Sequence, residues 1–196
     1  VYEDADVYAF VKNNGGKVAV YKENLYKPMP GYRFIASNTD RSRYYVGELN
    51  GKSSKQAYMD ALHISESNII NQTFHNPLGK MNGQDICIIS LKEVSGNGLC
   101  CYRQVNDSDV LVLLEEQDYN EILDETLQRI RRDFNHISGV FSINCVFRYL
   151  LFSQEHHMED YLKTMSTLGE HAGLIGFGEH YNQQFVNQTM TCVVFE

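Results

Sequence analysis

Short apolar runs rich in β-branched and aromatic residues recur along this chain between polar turn segments, and such runs predict β-strands. The predicted strands cover residues 7–11, 18–21, 32–37, 44–49, 85–94, 99–105, 109–115, 173–178 and 185–195. Asn-Asn-Gly-Gly at 13–16 separates the first two strands as a tight hairpin turn would. Several other connections are only a few residues long, and connections this short favour antiparallel neighbours.

A period of about 3.6 residues predicts helices in three places. The first follows a capping box at 53–56, and a second runs from about Asp118 to Phe134 with Asp118 as its N-cap. A third runs from about Gln154 to Leu168 and is ended by Gly169. The fold predicted is therefore α+β, with one or more largely antiparallel β-sheets and about three helices packed on the sheet faces.

Residues 27–31, Lys-Pro-Met-Pro-Gly, interrupt this regular pattern. Proline removes a backbone donor and glycine ends regular structure, so the segment predicts a linker or a domain boundary. The chain opens with Val-Tyr-Glu-Asp, without an initiator Met or a signal peptide. We interpret it as a piece of a longer protein.

Composition excludes some classes of function. The chain has 196 residues and a formal net charge of −8, which argues against a nucleic-acid partner and against capture by an anionic membrane. The sequence contains no apolar run long enough to span a bilayer. Five cysteines form no C-x2-C pair, which is typical of reduced core thiols in a cytoplasmic protein.

Arg148 is the most informative charged residue because it interrupts the apolar run 140–152. A guanidinium in a buried segment needs a partner, since an unpaired buried charge is costly. Two interpretations remain open: an internal ion pair with a core Glu or Asp, or an anchor for a carboxylate-bearing ligand.

A second polar cluster is predicted at the turn between the last two strands. Three glycines at 173–178 let the backbone approach another group closely, and Glu179 follows Gly178 directly. Glu179 could pair with Arg148 at one end of the sheet, or it could be an exposed residue of a tight turn. Asn187 opens the last strand, where it either braces the preceding turn or binds a ligand.

Metal and thiol chemistry are weaker hypotheses. His156 and Asp160 share one helix face at i and i+4, but two ligands make a poor metal site. Cys145 would need a partner histidine and an oxyanion site for nucleophilic catalysis, and no spacing indicates either. We therefore predict no catalytic residue, no metal site and no cofactor.

Three short motifs in order resemble the end of the C-terminal FIST domain. They are Cys-x-x-Arg at 145–148, a glycine-rich turn ending in Gly178-Glu179, and Asn-x-Thr at 187–189. Residues 31–58 resemble the entry of the same domain, with a strand pair, a Gly turn and a short helix. His180 departs from the family pattern, in which a small apolar residue is expected.

The resemblance implies a domain division and a function. Residues 31–196 would form the C-terminal FIST domain, and residues 1–30 would be the tail of an upstream N-terminal FIST domain. The function implied is sensing of a small carboxylate-bearing ligand, such as an amino acid, by a cytoplasmic signalling protein with an output domain or partner. The predicted ligand-binding residues are Arg148, Glu179, Asn187, Gly178, Asn144 and His180. The alternatives are a protein-interaction scaffold or, less favoured, a Cys/His or metal-dependent enzyme.

Overall fold

The computed structural model describes Glu3, residues 8–83 and residues 85–196. The strands in these residues are β1 Val18–Asn24, β2 Tyr26–Asp40, β3 Tyr45–Leu49, β4 Lys52–Ser53, β5 Leu78–Asn82, β6 Asp85–Ile89, β7 Leu91–Ser95, β8 Gly98–Cys101, β9 Val110–Glu116, β10 Gly139–Cys145, β11 Glu170–Gly176, β12 Glu179–Tyr181, β13 Gln184–Val186 and β14 Thr189–Phe195. The helices are α1 Ser54–Leu62, α2 Ile69–Gln72, α3 Tyr119–Asp133, α4 Val146–Gln154 and α5 Met158–Met165, with a 3-10 turn at Glu66–Asn68. The α+β class is confirmed, but the described residues form five α-helices, not about three.

The strands in the described residues form a small sheet, a large sheet and a separate hairpin. The small sheet has the order β1-β14-β10-β11, and only its β10–β11 pair is parallel within the described chain. The large sheet has eight strands in the order β6-β5-β9-β2-β3-β8-β7, with β4 paired to β3. Strands β12 and β13 form a separate antiparallel hairpin.

Strand β9 lies between the two hydrophobic cores. Leu111 and Leu113 pack into the core beneath α1 and α2, whereas Val112 and Leu114 pack into the core beneath α3, α4 and α5. Successive side chains of a strand point to opposite faces, so a strand buried on both faces is apolar throughout. The large sheet is therefore covered on both faces at this strand.

The predicted N-caps of two helices are confirmed. The Asp118 carboxylate accepts hydrogen bonds from the backbone amides of Asn120 and Glu121 at 2.9 and 3.1 Å. Ser53 Oγ accepts one from the amide of Gln56 at 3.3 Å. These side chains satisfy donors that the first turn of a helix leaves unpaired.

The apolar run 140–152 divides into two elements that the sequence pattern does not separate. Its first part is strand β10 and its second part is helix α4, which begins at Val146. Both parts are rich in apolar residues, and periodicity distinguishes strand from helix poorly in a short apolar run. The third predicted helix is shorter than expected, since α5 begins at Met158.

The segment 27–31 is part of β2 and does not break it. The pairing of β2 with β9 shifts register between Pro28 and Arg33, so the strand absorbs the prolines as an irregularity. Of the first predicted strand, residues 8–11 have no regular structure and Val7 lies outside the described residues. The domain division at residue 30 stays a prediction, although β1 pairs along its whole length with β14.

Polar contacts fix the β12–β13 hairpin against the large sheet. Arg103 Nη1 donates to the backbone carbonyl of Phe185 at 2.7 Å. The carboxylate of Asp85 accepts from Lys22 Nζ at 2.8 Å and from Gln184 Nε2 at 3.0 Å. The hairpin is thereby held over the junction between the two sheets. The described helices include none that is long and apolar enough to cross a membrane.

Candidate functional site

Arg148 is buried in helix α4 and forms an ion pair with Glu23 of β1. Its side chain is 1% exposed, and Nη2 donates to Glu23 Oε1. The guanidinium also lies over two aromatic rings, with its central carbon 4.6 Å from the centre of Phe152 and 5.4 Å from that of Tyr161. Of the two interpretations of Arg148, the structure shows the internal ion pair. The partner is Glu23, so the predicted pairing with Glu179 is wrong.

The alternation of side chains along β10 explains why Arg148 and Glu179 do not meet. Asn144 faces α5 and donates to the hydroxyl of Tyr161 at 3.0 Å. Asn144 and Glu23 both pair with Met190 of β14, one from each side, so they occupy the same register position in the two strands that flank β14 in the small sheet. The next residue, Cys145, points to the opposite face of the sheet, where its thiol lies beside Glu179. The predicted site residues therefore divide between two faces of one sheet.

Glu179 is a buried carboxyl group at the start of β12. Its Oε2 accepts a hydrogen bond from Thr189 Oγ1 at 3.0 Å, whereas Oε1 has no hydrogen-bond partner among the described residues. Burial penalises the charged carboxylate and raises the pKa of Glu179 from 4.5 to about 7, against the opposing effect of the Thr189 and Cys145 contacts. Glu179 therefore carries a proton for much of its time near neutral pH.

Gly178 and Asn187 lie together at the base of the hairpin. Gly178 has a φ of +124°, and a Cβ built on it would lie 2.7 Å from Cζ of Phe185 and 3.6 Å from Oδ1 of Asn187. Glycine is thus required both by the backbone conformation and by the ring packed against it. His180 is exposed, and its ring centre is 5.4 Å from that of Phe185. It lines a separate depression of about 170 Å³ on the outer face of the small sheet.

A small cavity connects this region to the large sheet, and we call it the inner cavity. Its volume is about 130 Å³, and it is lined by Ser90, Tyr102, Cys145, Val146, Phe147, Phe177, Phe185 and Asn187. Ser90 Oγ and Asn187 Nδ2 are buried and have no hydrogen-bond partner in residues 8–83 and 85–196. Buried polar atoms normally have a partner, so this pair marks a place where a ligand or water would gain hydrogen bonds.

The inner cavity adjoins a larger open depression, which we call the outer groove. The outer groove has a volume of about 640 Å³ and shares Tyr102 and Phe185 with the inner cavity. Its other lining residues are Tyr44, Lys80, Met81, Asn82, Cys87, Arg103, Gln104 and Asn106. The aromatic side chain of Phe177, which is 92% exposed, stands at the cavity's outer wall. Together the two spaces are large enough for a small organic molecule.

The structure brings some of the predicted residues together and separates others. Asn187 lines the inner cavity, Gly178 shapes the turn beside it, and Glu179 lies behind Cys145. Arg148 and Asn144 face the helices instead. The predicted site omitted Ser90. The sequence contains a usable signal for this residue, because Ser90 interrupts the apolar run 86–91 as Arg148 interrupts the run 140–152.

The histidines and cysteines considered for metal or thiol chemistry make ordinary packing and hydrogen-bonding contacts. His171 is hydrogen-bonded to Ser142 Oγ at 2.9 Å, and His157 packs its ring 4.8 Å from the ring centre of Phe152. In the part of the chain that the structure describes, no three His, Cys, Asp or Glu side chains converge as metal ligands would. All five cysteines are buried and reduced.

The fold is an α+β domain with a cavity between its two sheets. A family model, the FIST C domain, matches residues 55–182, which is more than half of the chain. The chain therefore belongs to the FIST C domain family, and the motifs at 145–148 and 178–179 lie within the matched residues. This family is associated with sensing of small ligands in signalling proteins. Comparisons with curated proteins and with solved structures gave no significant match.

Proposed function

We propose that this chain is the sensory domain of a signalling protein and that it binds a small carboxylate-bearing molecule such as an amino acid. Family membership supports the sensory role. The observation that carries the location is the pair of buried polar atoms, Ser90 Oγ and Asn187 Nδ2, on two walls of the inner cavity. A ligand that pairs with both atoms joins the large sheet to the base of the hairpin.

The sizes of the two spaces suit a ligand with two unlike ends. The inner cavity, at about 130 Å³, has room for a compact polar group and a few carbon atoms. The outer groove, at about 640 Å³, holds the remainder beside Arg103 and the side-chain amides of Asn82 and Gln104. Small-molecule sites typically combine an apolar wall with a few placed polar groups, as this site does.

Arg148 has an indirect role in this proposal. Its charge is already matched by Glu23, so it positions α4 and does not grip the ligand. Helix α4 begins with Val146 and Phe147, which line the inner cavity. In this proposal Asn187 contacts the ligand directly. Glu179 does not contact the ligand, and acts on the site only through its neighbour Cys145.

The proposed role is binding and not catalysis. The proposed partners are the small ligand, an upstream N-terminal FIST domain and a signalling output region. Family membership supports the sensory role in signalling. The proposed location is the cytoplasm, which agrees with five buried, reduced thiols.

A thermal-shift screen followed by calorimetric titration tests the proposal. The purified chain is screened against the standard amino acids and small mono- and dicarboxylates, and at least one should raise the melting temperature and bind saturably. Val146→Phe fills the inner cavity and should abolish the effect. Val18→Phe on exposed β1 is the matched control and should leave it unchanged.

The same screen separates the sensor from an interaction scaffold. A scaffold has no use for a small ligand, so none of the compounds would shift the melting temperature of the wild-type chain. Equal shifts in the wild type and in Val146→Phe would show binding elsewhere and would contradict the assignment to the inner cavity.

A further inference from the structure

The N-terminus of helix α4 lies at the wall of the inner cavity, and the carboxyl group of Glu179 lies beside the thiol of its N-cap residue. The N-cap residue is Cys145, which makes no side-chain cap hydrogen bond within the described chain, and the first turn contains no acidic residue. Helix α3 differs, because Asp118 caps it and Glu121 lies in its first turn. A helix N-terminus presents unpaired amides and partial positive charge, and α3 satisfies both with carboxylates.

Two buried side chains converge on the same place from different sheets. Ser90 is fully buried between β6 and β7, and Asn187 is 7% exposed between β13 and β14. Ser90 Oγ and Asn187 Nδ2 both lack a hydrogen-bond partner in the described residues, and both residues line the cavity with Val146. Hydroxyl and amide N–H groups are donors, so the cavity combines donors with the positive end of a helix.

The walls around these donors are aromatic. Tyr102 packs its ring 5.2 Å from that of Phe147, and Phe177 and Phe185 complete the lining. In an apolar surrounding a hydrogen bond to a charged group is stronger than in water, and an unpaired donor is more costly. The cavity thus favours a compact anion whose oxygens accept from several donors at once.

We propose that the first turn of α4, Ser90 Oγ and Asn187 Nδ2 together bind the carboxylate of the ligand inside the inner cavity, while the rest of the ligand lies in the outer groove. This inference rests on the proposed ligand-binding function and adds the residues and the orientation of the ligand. It also defines the ligand class, since a carboxylate must sit at the end of a narrow stem to enter about 130 Å³.

Paired probes in NMR titrations test the inference on the wild-type chain. Acetate, glycine and L-alanine are each compared with the amide of the same acid, which has the same shape without the charge. Carboxylates should shift the backbone amide signals of Val146 and Phe147 and the side-chain amide of Asn187, and the amides should not. Equal shifts from both members of each pair would overturn the proposal.

Two variants test the individual donors by calorimetry. Ser90→Ala should weaken binding of L-alanine roughly tenfold, and Asn187→Asp, which places a like charge in the cavity, should weaken it more. Ser142→Ala is the matched control, because Ser142 is an equally buried serine bonded to His171 on the other face. Unchanged affinity in Ser90→Ala and Asn187→Asp overturns the inference.

The outcomes distinguish this inference from the function on which it rests. If the wild-type chain binds carboxylates but its α4 signals do not move, the sensor proposal stands and the site assigned to the carboxylate is wrong. If the wild-type chain binds none of the probes or the screened compounds, both proposals fail. The wild-type titration decides even where a variant does not fold.

Discussion

Arg148 and Glu23 form a buried ion pair between residues 125 positions apart in the chain. The pair connects helix α4 to strand β1, and both side chains are almost fully buried. The orientation of α4 therefore depends on β1, and α4 presents its first residues to the inner cavity. An ion pair deep in a core contributes to the geometry of the site even though it does not touch the ligand.

Removing the charge of Arg148 should destabilise the fold strongly. In Arg148→Met, Glu23 keeps a buried charge without a partner, and a broken buried pair costs about 3–5 kcal/mol. The free energy of unfolding, measured by urea denaturation, should fall by this amount. Arg132→Met, on the exposed face of α3, is the control and should change it by less than about 0.5 kcal/mol.

The double variant Glu23→Leu/Arg148→Met separates the charge effect from the packing effect. Removing both partners leaves no unpaired charge, so the double variant should recover most of the lost stability. A double variant as unstable as Arg148→Met would show that the lost packing of the guanidinium over Phe152 and Tyr161 accounts for most of the destabilisation.

Glu179 should make the stability of the protein depend on pH. Burial raises its pKa from 4.5 to about 7, so in this window the folded state binds a proton that the unfolded state has released. The free energy of unfolding should therefore fall as pH rises through the window, by about 2 kcal/mol. Glu179→Gln is neutral at every pH and should remove this part of the pH dependence.

The comparison is made by denaturation of the wild type and Glu179→Gln at several values from about pH 5 to pH 8. Glu159→Gln, on the exposed face of α5, is the matched control and should keep the wild-type profile. Parallel profiles for the wild type and Glu179→Gln would mean that Glu179 is ionised in the folded state throughout.

The thiols should react slowly in the native protein. Burial raises the pKa of Cys145 to about 11 and those of Cys101 and Cys192 to about 12, and the thiolate is the reactive form. A chromogenic disulfide reagent at neutral pH should hardly label Cys101, Cys145 and Cys192 in the native chain and should label all five thiols after denaturation. Ser153→Cys, exposed on α4, is the control and should react within the mixing time of a manual assay. Rapid labelling of native Cys145 would favour the thiol-enzyme alternative.

The sequence predicted the elements whose local signals are strong. Asp118 as an N-cap and the stripe of Leu123, Leu127 and Ile130 defined α3, because capping and helical periodicity act within one element. The run 140–152 could not be divided in the same way, since periodicity does not separate strand from helix within a short, nearly continuous apolar run.

The pairing of buried polar residues could not be predicted from the sequence. The position of Arg148 in an apolar run predicted a buried charge. The identity of its partner depends on the strand order β1-β14-β10 and on the sheet face that each candidate carboxylate occupies. Glu23 gave no local signal, because it lies in the polar stretch Lys22-Glu23-Asn24, which the sequence does not distinguish from an exposed strand end. Ser90 and Asn187 line the same cavity only because the hairpin folds over the large sheet.

Gly178→Ala should distort the candidate site more than glycine substitutions at other positive-φ positions. At a φ of +124° an L-residue is strained, and the new Cβ would lie 2.7 Å from Cζ of Phe185, so the ring must move. We expect a loss of about 2–3 kcal/mol in the free energy of unfolding and weaker binding of any ligand of the inner cavity. Gly96→Ala is the matched control: its φ is +60° and a Cβ there meets no atom of the described residues within 4 Å. It should cost about 1 kcal/mol and leave binding intact. Equal losses in the two variants would mean that backbone strain alone acts, and that Phe185 does not hold the turn in place.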